Sequence, residues 1–133
     1  MKRLIAGVLL TLSVAGSVYA HHAAAGIDRT KSVTVEGVVK QFKWANPHSW
    51  MELEVQNPKG GVDLWNLEMT SPAFLVRAGW KATTLKAGDK VTAVARPFKN
   101  GDPGGLFVSI TLADGRKLSE QAVPAAAAPA PGR

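Results

Sequence analysis

The chain contains no cysteine. Disulfide scaffolds, thiolate metal sites and cysteine nucleophiles are thereby excluded, and the fold has to rest on packing and backbone pairing. Histidine is scarce as well, with three in 133 residues, so any imidazole chemistry is confined to His21, His22 and His48. No Ser-His-Asp arrangement is visible. The glycine-rich stretch Gly101 to Gly105 contains Asp102 and Pro103 and precedes no helix, so it reads as a hairpin loop rather than a phosphate cradle. The apolar stretch from Leu4 to Val18 is 15 residues long. A spanning helix needs about 20, so the chain is not expected to cross a membrane with it.

That stretch has another reading. Lys2 and Arg3 precede it and Val18-Tyr19-Ala20 follows it, the charged start, apolar centre and small-residue site of a secretory signal. Residues 1–20 are expected to be removed, which places the protein in the periplasm and makes His21 the first residue. The remaining 113 residues are enough for one domain with a modest core. They carry 14 basic and 10 acidic residues in alternation, the pattern of a solvated surface. Export, scattered charge and the lack of a basic aromatic strip all argue against nucleic acid as a partner.

Residues 21–32 show no period and read as an N-terminal arm. From Val33 the chain alternates. Val33 and Val35 share one face, while Val38, Phe42 and Trp44 have the opposite parity, so the phase is expected to switch near Gly37 through a bulge or bend. Met51, Leu53 and Val55 give a second strand. Asn57 to Gly61 is a turn, and Trp65, Leu67 and Met69 mark a third strand in a hairpin with the second. Ser71-Pro72 opens a short helix over Ala73 to Ala78, with serine as its cap and Gly79 as its end. Val91, Ala93 and Ala95 mark a fourth strand. Leu106, Val108, Ile110 and Leu112 mark a fifth, followed by a turn at Asp114-Gly115. Residues 119–133 are rich in alanine and proline and read as a disordered tail.

An all-β chain with one short helix between its third and fourth strands, and a bent first strand, has the element order of a five-stranded OB-like Greek-key barrel spanning residues 33–118. A small β-sandwich is the alternative.

The chemistry-bearing segment is Trp44-Ala45-Asn46-Pro47-His48-Ser49-Trp50, at the bend between the first two strands. Proline fixes the turn and presents His48 beside two indoles. His48 could bind a metal or donate to an anionic or sugar-like ligand, with Trp44 or Trp50 as a stacking plate and Asn46 adding an amide. A structural role, with Asn46 and His48 tying the turn to backbone, is the other reading. His21, as a first residue, offers an α-amino group and an imidazole that together chelate one ion. A third nitrogen from His22 or His48 would complete a set suited to copper(II). Glu52, Glu54 and Glu68 read as solvated strand carboxylates rather than an acid–base pair.

The combination of His21-His22, Asp28, Gly37, Asn46-Pro47-His48 with Trp50, Trp65 with Glu68, Ser71-Pro72, Gly79-Trp80 and Leu85 to Asp89 resembles a family of small exported bacterial proteins known only as a domain of unknown function. The resemblance implies a small periplasmic β-barrel and supplies no substrate or reaction. The function expected is a non-enzymatic periplasmic binding or accessory module, its partner a small ligand or an envelope protein held near His48. The alternative is a copper-binding protein.

Overall fold

The computed structural model describes residues 26–121. Among the described residues six strands and one helix follow in the order β1 (Val33–Lys43), β2 (Trp50–Gln56), β3 (Val62–Glu68), α1 (Pro72–Arg77), β4 (Lys90–Pro97), β5 (Gly104–Leu112) and β6 (Lys117–Ser119). Hydrogen bonding links them as β3-β2-β1-β4-β5-β6, and β3 also pairs in parallel with β5. That last pairing closes β1 to β5 into a barrel and leaves β6 as an extra strand on β5. Closure excludes the sandwich and matches the OB-like Greek-key arrangement.

β1 is long enough to serve two neighbours. Val33 to Val38 pair with β4, and Val38 to Lys43 pair with β2. The phase change lies at Lys40 rather than Gly37: Val39 faces Leu53 and Gln41 faces Glu52, so Lys40 is the extra residue of a bulge. Val35 and Val39 therefore point inward before the bulge, and Phe42 packs on the core after it. Gly37 has a different task. A Cβ there would lie 2.8 Å from the Glu54 carbonyl oxygen and 3.0 Å from a Val55 methyl, so glycine lets the backbone of β2 approach where β1 curls.

The β2–β3 turn is held by Asn57, whose side-chain oxygen accepts the Lys59 and Gly61 amides and whose nitrogen donates to Asp63 at 2.8 Å. After β3, Ser71 is extended and makes no side-chain cap. Its carbonyl instead accepts the Phe74 and Leu75 amides, both at 3.1 Å, so the expected serine cap is replaced by a backbone one. At the other end Gly79 adopts φ +89°. The Gly79 amide donates to Val76 O and the Trp80 amide to Leu75 O, the paired bonds of a Schellman ending. This reversal drives Trp80 into the barrel, where it and Leu75 are fully buried.

β5 departs from the expected even-numbered row. A bulge at Val108, between the Val94–Ser109 and Ala95–Phe107 pairs, puts Phe107 and Ile110 inward and leaves Leu106 and Val108 half-buried. Gly104 and Gly105, expected in a loop, begin the strand and form the closing seam. At Gly105 a Cβ would lie 2.0 Å from Arg96 O, and at Gly104 2.5 Å from Asn66 O. β6 is not predicted by the sequence pattern. It carries the folded chain past Leu118: Ser119 O accepts the Trp80 indole N–H at 2.8 Å, and Glu120 Oε1 accepts the Thr70 amide at 2.5 Å. At the other terminus Ile27 is buried, forms a bridge with Phe98, and is flanked by the Asp28 amide donating to Pro97 O. No helix among the described residues is long and apolar enough to cross a membrane.

Candidate functional site

The β1–β2 connection is anchored by Ser49, which is fully buried. Its hydroxyl accepts the Ala45 amide at 3.4 Å, its own amide donates to Thr70 O, and its carbonyl accepts the Met69 amide. The Asn46-Pro47 peptide is cis. These ties hold His48 against the end of β3, where Nδ1 donates to Glu68 Oε1 at 2.5 Å. An ionised carboxylate only accepts, so the proton of the neutral ring sits on Nδ1 and the lone pair is left on Nε2. The imidazole is about half exposed (52 %) while Glu68 is largely covered (21 %). The carboxylate thus fixes an accessible ring in one orientation, the arrangement that supports metal-ligating histidines.

A second carboxylate stands behind the pair. Burial pushes the Glu120 carboxyl above its ordinary range and Glu68 adds to this, while the bond from the Thr70 amide and the charge of His48 pull it down. The rim therefore gathers His48, Glu68 and Glu120 from three separate parts of the chain. Among the described residues no group of three or more His, Cys, Asp or Glu side chains is arranged to hold a metal ion.

The other expected site residues divide. Trp44 is half-buried and meets Phe42 edge-on at 5.8 Å. Phe42 in turn contacts Trp80, and Trp80 meets Phe107, so Trp44 heads an aromatic chain that runs into the core. Trp50 faces outward on β2, between Lys43 of β1 and Glu68 of β3. Asn46 is exposed at the tip of the turn. The backbone ties expected of Asn46 and His48 are made by Ser49 instead. His21 and His22 lie outside the described residues. The first described residues dock at the closing seam: the Lys99 amide donates to Gly26 O, Ile27 bridges Phe98, the Phe98 amide donates to Gly104 O, and Gly104 pairs with Asn66, two residues before Glu68.

A cavity of about 490 Å³ lies elsewhere, against the first half of β1 and the β2–β3 turn. Glu36, Glu54 and Lys90 line it with mixed charge, and it holds no aromatic ring. The rim at His48, by contrast, has the fixed imidazole and, on the neighbouring strand position, the Trp50 indole.

Fold and rim together define a small closed β-barrel whose β1–β2 loop carries an oriented histidine. The chain belongs to a family of unknown function (DUF6152), whose model matches residues 9–108. No curated protein and no solved structure matches it.

Proposed function

We propose that the protein is an exported, non-enzymatic binding or accessory module of the periplasm that holds its ligand at the barrel end around His48. Export rests on the signal-like residues 1–20 that precede His21. The observation that carries the binding reading is the His48–Glu68 pair, because an exposed imidazole fixed by a largely covered carboxylate is poised to contact something outside the chain. The one hydroxyl of the turn, Ser49, is buried and occupied by the Ala45 amide, which favours binding over nucleophilic catalysis. The test is nuclear magnetic resonance of the chain beginning at His21, titrated with zinc(II), sulfate and acetate. The His48 ring signals should shift saturably with at least one probe, and Glu68→Gln should weaken that binding. Zinc affinity would fall about 10- to 100-fold in that variant if zinc is the ligand. Ring signals indifferent to all three would count against the reading.

A specific observation supports copper(II) as the ligand. His48 keeps the Nε2 lone pair on a half-exposed ring, and Ile27 docks on Phe98 at the seam where Gly104 pairs with Asn66. Gly26 is five residue steps from His21, and an extended segment of that length covers about 17 Å. The His21 amine and imidazole with His48 Nε2 would then supply three nitrogens. Protein beginning at His21 should bind one copper(II) with nitrogen-rich tetragonal paramagnetic resonance features. One extra residue before His21 should abolish them, and His48→Ala should weaken binding more than His22→Ala.

A further inference from the structure

The register of β1, β2 and β3 brings two rows of outward side chains together beside the rim. One row is Lys43, Trp50 and Glu68; the next is Gln41, Glu52 and Asn66. Gln41, Lys43, Trp50, Glu52 and Asn66 line an open groove of about 340 Å³. Strands lie about 4.8 Å apart and alternate residues about 7 Å apart, so the rows make a patch of roughly 10 by 7 Å, the footprint of one or two sugar rings. Among the described residues no buried side-chain nitrogen or oxygen lacks a partner, so the free polar atoms of this patch stand in solvent and are available to a ligand.

We infer that this face is a saccharide-binding platform centred on Trp50. A hexose ring presents one face of polarised C–H bonds and a periphery of hydroxyls that both donate and accept. The indole face is electron-rich and attracts the C–H face. Around it Glu52 accepts, Lys43 donates, and Gln41 and Asn66 do both, which is the mixture hydroxyls require. Other ligands fit less well. A nucleic acid could stack on Trp50, but its phosphates would meet Glu52 and Glu68 with Lys43 as the one cation in either row. A cationic ligand would be drawn by Glu52 and Glu68 but opposed by Lys43, and would leave the acceptor and donor amides of Gln41 and Asn66 unmatched. The inference rests on the reading of this barrel end as the binding end and gives the ligand a class, but its contacts are separable from those of His48.

The test is amide and indole resonance mapping of the chain beginning at His21. The probes are chitotetraose and cellotetraose, with a thymidine octamer and tetramethylammonium chloride as competing chemistries. One of the two saccharides should shift the Trp50 indole N–H and the amides of Gln41, Lys43, Glu52 and Asn66 saturably. Trp50→Ala, checked for an unchanged melt, should weaken binding about tenfold or more, and Glu52→Gln about threefold. Saccharides that leave Trp50 unmoved, shifts produced by the octamer or the ammonium salt in their place, or equal affinity in Trp50→Ala would each overturn the inference. A His48 ring that answers zinc while Trp50 ignores sugar refutes the platform alone. Sugar shifts with an unresponsive His48 refute the ion-binding use of His48 alone.

Discussion

Replacing Gly37 by alanine or valine tests why β1 can serve two sides of the barrel. Gly37 is not among the glycines with positive φ, so the backbone itself would accept an L side chain. The obstacle is space: the new Cβ would lie 2.8 Å from the Glu54 carbonyl oxygen, 3.0 Å from a Val55 methyl and 3.4 Å from the Leu53 Cβ. The first of these is backbone in a strand hydrogen-bonded on both edges, so relief requires β2 to move by about half an ångström in a close-packed interior. Overpacking of this kind costs about 1–3 kcal/mol, offset by about 0.5–1 kcal/mol because glycine is a poor strand residue. Alanine should therefore lose about 1 kcal/mol and valine about 2 kcal/mol or more, since its branches meet Val55 as well. For a domain of this size each kcal/mol lowers the melting temperature by roughly 4–8 °C. Thermal and urea denaturation followed by circular dichroism would measure both variants. An alanine variant as stable as the parent, or more stable, would refute the close-approach argument.

Gly105→Ala should be far more damaging, since its Cβ would lie 2.0 Å from Arg96 O at φ +151°, and loss of a cooperative melt is expected. Trp80→Ala should cost about 3–5 kcal/mol, while Trp80→Phe should cost about 1 kcal/mol for the lost bond to Ser119 O, both read by urea denaturation. Glu120 offers a pH signature. Burial and the Glu68 charge raise its folded-state value above the ordinary 4.5 against the opposing Thr70 amide and His48, so the folded protein holds that proton more tightly than the unfolded chain. Its contribution to stability is then greatest below 4.5 and is lost as the pH rises through the raised value. Glu120→Gln keeps an oxygen for the Thr70 amide and should remove that loss, giving a melt at pH 7 equal to or above the parent; a lower melt there would contradict the assignment.

The barrel was legible because most strands alternate cleanly. Met51 and Leu53, Leu67 and Met69, and Val91, Ala93 and Ala95 are each inward as the period of two requires. The misreadings fall where two apolar parities overlap. Val38 and Val39 are both apolar, so the sequence admits a switch at Gly37 or at Lys40, and only the pairing with β2 decides. In β5, Phe107 and Val108 pose the same ambiguity, resolved by the bulge against β4. The Gly104-Gly105 seam was invisible because its purpose is contact with Asn66 and Arg96, remote in sequence. β6 is too short to show a period. At the site, the Asn-Pro-His turn marked His48, but Glu68 is 20 residues away and becomes its partner through the Trp50–Glu68 register. Trp44 and Trp50 looked equivalent in sequence, and the bulge at Lys40 sends the first toward the core while the second stays outside.

The binding reading rests on Glu68 holding the His48 ring in one tautomer, with the lone pair on Nε2. Long-range proton–nitrogen correlation of the histidine rings, in the chain beginning at His21, reads that tautomer. At a pH where the His48 ring is neutral, Nδ1 should carry the proton and Nε2 should not, the Nε2 signal should shift on titration with zinc(II) or a proton-donating ligand, and Glu68→Gln should loosen the tautomer preference. A proton on Nε2 in the free protein, together with ring nitrogens that no added probe moves, would overturn that reading.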